Sequence, residues 1–249
     1  MREEDIVQSA KQRFEQEVHT PEYRKIHADS NHLENLLQFM DIRENKTYLD
    51  LGTGNGYIAF ELAKRFPSIF VTGLDIAEGA IETNTQITTQ EHLVNVKFET
   101  YQGTNFPFPD GSFYGIISRY ALHHFPNIGL SVNEMRRTLE SHGFVIISDP
   151  APYDEDVVEF YNAFQALKQD GHVRAYKTEE LSRIFEQAGF TREKHFFSYV
   201  TYPRELISAY TMLFEQTPPE ILEKYNIELQ EQHVFVTARI FNVMFRKRR

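Results

Sequence analysis

The stretch Asp50-Leu51-Gly52-Thr53-Gly54-Asn55-Gly56 decides the predicted fold, because it lies where an apolar strand pattern ends and a helical pattern begins. Three glycines at alternate positions permit positive φ and remove side chains, so a ligand can approach the backbone amides at the helix N-terminus. Open α/β sheets bind ligands at such strand-to-helix turns. The dinucleotide fingerprint needs its third glycine one position later, where Tyr57 stands, and this disfavours NAD.

Strand and helix patterns alternate on both sides of this turn, which is typical of βαβ units. Strands are predicted near Thr47–Leu51, Ile69–Leu74, Val94–Tyr101, Phe113–Ser118, Phe144–Ser148, Thr191–Val200 and His233–Phe245. Helices are predicted near Tyr57–Phe66, from about Glu78, near Gly129–Leu139 and over Thr178–Ala188, with Thr178 as the N-cap of the last. Two helices precede the first strand, the second of them capped by Asn31.

The chain is predicted to form a single domain over residues 1–249. Its parts are N-terminal helices or a lid over residues 1–45, a Rossmann-like core over 46–200 with an insertion at about 152–176, a helical insertion over 201–232, and the last strand with a basic tail over 233–249. Both insertions carry apolar residues at helical spacing, so neither is predicted to be disordered.

Composition excludes several classes of function. The 249 residues include no cysteine, which rules out thiolate metal sites and cysteine nucleophiles. The formal net charge of -10 works against binding bulk nucleic acid.

No apolar run is long enough to span a membrane and the first residues are acidic, so a cytoplasmic location is expected. No His/Asp/Glu cluster has metal-ligand spacing, so no metal site is expected, and the tail Arg246–Arg249 is interpreted as a solvated end.

The second predicted strand ends in Gly73-Leu74-Asp75. A carboxylate at the end of that strand can accept hydrogen bonds from both ribose hydroxyls of a nucleoside. Together with the glycine turn, Asp75 therefore predicts a nucleoside-containing ligand.

Leu49–Gly56 and Asp75 resemble the first two motifs of class I S-adenosylmethionine-dependent methyltransferases, particularly the type 11-like small-molecule enzymes. The stretches Phe106–Phe113 and Ser118–Phe125 resemble the turn into the fourth strand of that family and the segment after it. The resemblance covers roughly Leu33–Phe190.

The resemblance implies a three-layer α/β/α Rossmann-like sandwich around a mostly parallel seven-stranded sheet, with an antiparallel last strand and helical lid insertions. It implies methyl transfer from S-adenosylmethionine to an oxygen, nitrogen or carbon of a small molecule, which releases S-adenosylhomocysteine. Because the lid segments are rich in Phe and Tyr, an aromatic or quinone-like acceptor is preferred. A homo-oligomer is compatible with this reading.

The resemblance also implies where the cofactor lies. The methionine end would follow Gly52, Thr53, Gly54, Asn55 and Gly56, with Asp50 near its amino group, and the backbone after Ser118, including Arg119. Adenine would lie between Ile76 and the Tyr101–Gly103 segment, which holds Gln102 and Gly103, and Tyr23 would cover the cofactor. This chain departs from the family at Gln102 and Tyr114, where aspartates are usual; the Gln102 amide oxygen can still accept the adenine amino group.

Candidate acceptor-site residues are His123, His124, Tyr153, Tyr161, His172 and Arg174. An imidazole titrates near neutrality and can act as a general base, but adjacent residues point in different directions, so at most one histidine of the 123–124 pair is expected to face the reaction. A cap or wall residue is the alternative for both. His172 and Arg174, like Arg119, could bind an anionic substrate or be solvated loop charges. Tyr153 and Tyr161 could line the pocket or belong to the core.

Two other functions stay open at this point. A protein that binds S-adenosylmethionine without turnover, as a sensor or partner subunit, is favoured slightly by Gln102 and Tyr114. An NAD-linked oxidoreductase is disfavoured by Tyr57.

Overall fold

A computed structural model describes residues 3–17, 30–168 and 170–249 of the chain. In these ranges the helices are α1 (Glu3–Glu17), α2 (Ser30–Phe39), α3 (Tyr57–Arg65), α4 (Glu78–Gln90), α5 (Ile128–Thr138), α6 (Phe160–Ala166), α7 (Thr178–Gln187), α8 (Ser208–Gln216) and α9 (Pro219–Lys224), with a 3₁₀ turn at Leu122–His124. The strands are β1 (Thr47–Leu51), β2 (Phe70–Asp75), β3 (Val96–Thr100), β4 (Phe113–Arg119), β5 (Leu139–Pro150), β6 (Phe190–Glu205), β7 (Glu228–Gln230) and β8 (His233–Lys247).

The strands form one sheet in the order β3-β2-β1-β4-β5-β8-β6, and the short β7 pairs with β8. The first five strands are mutually parallel, whereas β8 runs antiparallel to both of its long neighbours. Strand order reverses between β1 and β4, so the connections from these two strands lead to opposite sides. Their carboxyl ends therefore border the crevice in which open α/β sheets bind ligands.

Alternate residues of the central strands face two separate hydrophobic cores. In β1, Leu49 and Leu51 pack into one core, and Tyr48 packs into the other. In β5, Val145 is in the first core and Phe144 is in the second. This period of two, with helices covering both faces, produces the three layers.

The insertions build a third core around the extended β6–β8 pair. Phe160 and Phe164 of α6 pack against Tyr210 and Phe214 of α8, and the Phe164 and Tyr210 ring centroids are 4.6 Å apart. Tyr225, which follows α9, is completely buried in this cluster. The insertions are therefore ordered by aromatic packing onto one end of the sheet.

The predicted fold class is confirmed, including the antiparallel last strand, and the structure adds an eighth strand, β7, inside the 201–232 insertion. The division of the chain into the predicted parts stays a prediction. Two predicted caps are wrong. Helix α2 begins at Ser30, so Asn31 lies inside its first turn. Lys177, which is extended, is the N-cap of α7, so Thr178 is its first helical residue.

The carboxyl-terminal basic residues do not all form a loose end. Arg246 and Lys247 are the last residues of β8. The Arg246 guanidinium lies 3.0 Å from the Glu193 carboxylate, and the amide of Arg248 donates to the Gly189 carbonyl. The interpretation of 246–249 as a solvated run is corrected for these residues. No helix in the described ranges is both long enough and apolar enough to cross a membrane.

Candidate functional site

The crevice at the carboxyl ends of β1 and β4 is a cavity of about 910 Å³, counted with its solvent-filled mouth. It is bordered by the turns after β1, β2 and β4 and by α1. The predicted site residues that line it are Asp50, Gly52, Thr53, Gly54, Asn55, Asp75, Ile76, Gly103, Arg119 and His124. Residues from four separate parts of the sequence thus meet in one space.

The glycine turn is anchored to the neighbouring strand. The amides of Gly52 and Thr53 both donate to the Leu74 carbonyl, at 2.8 and 3.1 Å. Gly52 has a φ of 72°, and a Cβ placed on it would lie 2.4 Å from the Ala121 Cβ. A side chain at residue 52 would therefore be strained and would also collide with the segment after β4.

Asp75 joins the turn to the end of β2. Its Oδ2 accepts from the Gly54 amide at 2.8 Å, and its Oδ1 accepts from the Ala77 amide at 3.0 Å. Burial raises the pKa of Asp75. The Ile76 amide also acts on this carboxylate. A carboxylate has about four lone-pair sites, so Asp75 keeps acceptor capacity for a hydroxyl of a ligand in the cavity.

The Asp50 carboxylate anchors the glycine turn to α3 and also lines the cavity. Its Oδ2 accepts from the Thr53 hydroxyl at 2.7 Å and from the Ala59 amide at 3.1 Å, an amide in the first turn of α3. Burial raises the pKa of Asp50 to about 6, although the Arg119 charge opposes the shift. A cationic group beside Asp50 would favour its ionised form.

The two adjacent histidines point in different directions. His123 does not line the cavity; its Nδ1 lies 3.0 Å from both Asp149 carboxylate oxygens. His124 lines the cavity, and its ring meets the Phe14 ring edge-on at 4.9 Å. No described atom hydrogen-bonds to its buried Nδ1.

Burial controls the charge of this histidine group. It lowers the pKa of His123 to about 4 and the pKa of His124 and His172 to about 3, and it raises the pKa of Asp149 to about 7. The His172 ring lies 5.5 Å from the His123 ring, outside the cavity lining. The three imidazoles are therefore neutral at physiological pH.

Several predicted residues lie elsewhere. Gly56 is the N-cap of α3, Ser118 is buried in β4, and Gln102 is exposed, and all three lie outside the cavity lining. Tyr114 packs in the core behind the sheet, where its hydroxyl donates to Asp41. Tyr23 lies outside the described residues.

The predicted acceptor-site residues of the insertions also lie outside the cavity lining. Tyr161 stacks on Tyr225 with ring centroids 5.4 Å apart, and Tyr153 packs edge-on against the same ring at 5.2 Å. Arg174 pairs with Glu180 at 3.1 Å. The two tyrosines belong to the third core, which is the structural alternative considered for them from sequence.

Sequence reasoning missed several lining residues. They are Val7, Phe14, Tyr57, Ile58, Ala77, Tyr120, Ala121, Phe125 and Pro126, whereas Tyr101, from the segment expected beside adenine, does line the cavity. Most of these residues lie close in sequence to a predicted site residue and could have been inferred from that position. Val7 and Phe14 come from α1, where an apolar stripe gave no indication of what it covers. In the described ranges no group of three or more His, Asp or Glu side chains is placed to hold a metal ion.

Comparison with known proteins agrees with this geometry. A family model described as "Methyltransferase domain" matches residues 42–189. The uncharacterized methyltransferase YcgJ of Bacillus subtilis is 29% identical over 162 residues, which are 65% of this chain and 63% of YcgJ. A demethylmenaquinone methyltransferase of Porphyromonas gingivalis is 29% identical over 150 residues, covering 55% of this chain and 61% of that enzyme. The chain thus spans less than two thirds of the length of these curated relatives.

Solved structures share the fold. The Bacillus halodurans protein BH2331 superposes with a TM-score of 0.79 at 23% identity, covering 88% of this chain and all of that one. The YcgJ structure superposes with a TM-score of 0.76 at 22% identity, covering 89% of this chain and all of YcgJ.

Replacing Gly52 by alanine tests the packing of the turn. A left-handed alanine costs roughly 1–2 kcal/mol, and the collision with Ala121 adds about 1–3 kcal/mol. Gly111→Ala is the matched control, because Gly111 has a φ of 67° and no atom within 4 Å of a built Cβ. Urea unfolding is expected to show a larger loss for Gly52→Ala, partly restored by adding Ala121→Gly. Equal losses at both glycines would contradict the contact.

Proposed function

The chain belongs to the class I S-adenosylmethionine-dependent methyltransferase family, and from that premise we propose that it transfers a methyl group from S-adenosylmethionine to a small molecule. The product from the cofactor would be S-adenosylhomocysteine. The observation that carries the proposal is that Asp75, Asp50 and the glycine turn line one cavity at the carboxyl ends of β1 and β2.

The residues that line the cavity suit this cofactor in their chemistry. Asp75 can hold the ribose hydroxyls, and Ile76, Ala77 and Tyr101 offer apolar walls for a base. Asp50 feels the charge of Arg119, whose guanidinium lies over the Tyr57 ring, and we place the amino acid group at this end.

The cofactor would supply a methyl group on a positively charged sulfur, which a nucleophile can take in a single displacement. The protein's part is to align the two partners and exclude water, which contributes roughly 7–11 kcal/mol in favourable cases. Phe14 and Val7 of α1 and Phe125 of the loop after β4 provide the apolar cover. A strong base is therefore not required.

We propose that His124 orients the acceptor. With its pKa lowered to about 3, the ring is neutral and too weak a base to ionise a hydroxyl group by itself. Its buried Nδ1 can accept a hydrogen bond from an acceptor O–H or N–H and so aim a lone pair of that atom into the cavity. The proton can then leave to water.

The proposed acceptor is a small aromatic or quinone-like metabolite. The cavity wall around His124 holds Phe14, Phe125 and Pro126, which suit a flat apolar ring. The similarity to demethylmenaquinone methyltransferases supports the same class of acceptor. The net charge of -10 favours metabolites over bulk nucleic acid, and we propose that the protein acts in the cytoplasm.

Calorimetric titration with S-adenosylmethionine, S-adenosylhomocysteine and NAD tests cofactor binding. The first two are expected to bind and NAD is not. Asp75→Ala is expected to lose about 1.5–3 kcal/mol of binding free energy, because charge-assisted hydrogen bonds to the ribose disappear. Asp154→Ala changes an exposed aspartate outside the lining and serves as the control. Undiminished affinity in Asp75→Ala would refute the assignment.

The affinity for S-adenosylhomocysteine is expected to depend on pH through Asp50. An ammonium group beside Asp50 favours the ionised carboxylate, whose pKa in the free protein is about 6. The titration of Asp50 therefore leaves the affinity unchanged above pH 6, and below pH 6 the affinity weakens by up to about tenfold per pH unit. Titration from pH 8 to 5 should show this slope, and Asp50→Asn should lack it. The same slope in the variant would assign the titration to another group.

Turnover is expected to depend on His124 while cofactor binding does not. His124→Phe preserves the ring contact with Phe14 but removes the acceptor nitrogen, so methyl transfer should fall about tenfold to hundredfold. His124→Asn keeps an acceptor atom and should retain more activity. Release of S-adenosylhomocysteine would be measured with a panel of phenols and hydroquinones. Cofactor binding without turnover on any of them would favour the silent binding protein, and wild-type rates in His124→Phe would exclude the proposed role.

A further inference from the structure

A second pocket lies at the opposite end of the sheet, where the parallel strands begin. Strands β4 and β5 are parallel and start there, and β8, which is antiparallel to β5, ends there. The turn before β4, the junction of α5 with β5, and the end of β8 border this pocket. Its charged lining residues are Asp110, Arg136, Arg137, Glu140 and Lys247, and none of them lines the first cavity.

Both acidic groups of the second pocket are engaged by cations. Arg137 lies 2.9 Å from the Asp110 carboxylate and 2.7 Å from that of Glu134. Glu140 pairs with Lys46 at 2.5 Å. These ion pairs balance three of the five charged lining residues and leave Arg136 and Lys247.

Arg136 and Lys247 have no carboxylate partner in the part of the chain that the structure describes. The buried Nε of Arg136 has no hydrogen-bond partner, and the Lys247 ammonium donates to the Leu139 carbonyl at 2.6 Å. Burial and the Arg136 charge lower the pKa of Lys247, and the Asp110 charge opposes this shift. The two cations are therefore close enough to repel each other.

Two helix ends offset only part of this positive charge. Arg136 is in the last turn of α5, and a Cβ placed on Gly189, which follows α7, would lie 2.7 Å from its Nε. Arg248 adds a third cation, which donates to the Glu186 carbonyl of α7. Each helix end contributes roughly half a negative charge, so both together offset about one of the three unit charges of Arg136, Lys247 and Arg248. The second pocket is thus locally positive on a chain whose net charge is -10.

The groups of the second pocket match a phosphate monoester. A guanidinium can present two N–H groups to two oxygens of one anion, and an ammonium adds a compact charge. A phosphate monoester carries about -1.5 to -2 charges at pH 7, which balances two cations, whereas a carboxylate balances one. Asn133 and Ser141 also line the pocket and offer N–H and O–H donors for the remaining oxygens.

We propose that Arg136 and Lys247 bind a phosphate monoester group in the second pocket, at a site separate from the methyl transfer cavity. The proposal does not depend on the proposed function. It also gives a role to the carboxyl-terminal basic run, since Lys247 belongs to that run. A soluble phosphorylated metabolite and a lipid headgroup such as that of phosphatidic acid share this chemistry.

Calorimetric titration of the full chain with inorganic phosphate tests the site. Phosphate is expected to bind more tightly than acetate, which carries one charge. Arg136→Gln and Lys247→Gln are each expected to weaken phosphate binding roughly tenfold, because each removes a charge-assisted contact. Arg136→Lys keeps the charge but not the fork of donors and should give an intermediate loss. The control Arg183→Gln removes an exposed arginine of α7 outside the pocket lining and should stay within about twofold of the wild type.

Vesicle flotation distinguishes the two sources of the phosphate group. Retention of the wild type, but not of the Arg136→Gln/Lys247→Gln double variant, on phosphatidylcholine vesicles that contain phosphatidic acid would assign a lipid headgroup. Phosphate binding without vesicle retention would assign a soluble ligand. The variants are expected to unfold in urea like the wild type, because neither side chain has a carboxylate partner to lose in the described ranges.

Three results would overturn the inference. They are the absence of binding to both inorganic phosphate and vesicles, equal affinity for acetate and phosphate, and unchanged phosphate affinity in both glutamine variants. Any of them would leave Arg136 and Lys247 as solvated charges at the ends of α5 and β8.

Discussion

Two acceptors at the end of β2 hold the site together. The Leu74 carbonyl accepts from the amides of Gly52 and Thr53, and the Asp75 carboxylate accepts from Gly54 and Ala77. These bonds hold the turn after β1 against the neighbouring strand β2. They thereby set the direction in which α3 leaves the turn. The contact of Gly52 with Ala121 then brings the segment after β4 against the same turn. Without these contacts, the turn after β1 would not close the base of the crevice between the strand ends.

The site contains buried titratable side chains whose ionised forms the protein alone stabilises only in part. Burial raises the pKa of Asp50, Asp75 and Asp149 and lowers the pKa of His123 and His124, so each ionised form is disfavoured in the empty fold. A cationic ligand that faces the carboxylates reverses this penalty for Asp50 and makes binding release protons at low pH. A cationic ligand does not favour protonation of the histidines, so His123 and His124 stay neutral. Under the proposed function, cofactor recognition is therefore electrostatic, whereas acceptor recognition depends on hydrogen bonds and shape.

Sequence predicts the part of the site that is local in the chain. The glycine turn and Asp75 follow from strand ends and residue spacing, because the carboxyl ends of parallel strands meet at one edge of the sheet. It could not predict which of His123 and His124 faces the cavity, since the 3₁₀ turn at 122–124 decides this. Phe14 was also out of reach as a site residue. It comes from a helix ahead of the core, and only the tertiary packing of that helix decides what it contacts.

The two proposed ends of the cavity depend on different structural elements. The end proposed for the cofactor is made by strand ends of one continuous sheet, where moving any residue disturbs several backbone hydrogen bonds at once. The end proposed for the acceptor lies where α1 meets the 3₁₀ turn, through the Phe14–His124 ring contact. The loop at 170–174 holds that turn from outside the cavity lining, through bonds from the Val173 and Arg174 amides to the His123 carbonyl. Side chains at this end can change without disturbing the sheet. Under the proposed function, the choice of acceptor is therefore set by residues that the fold itself does not require, and substitutions at Phe14 are expected to alter acceptor preference more than cofactor affinity.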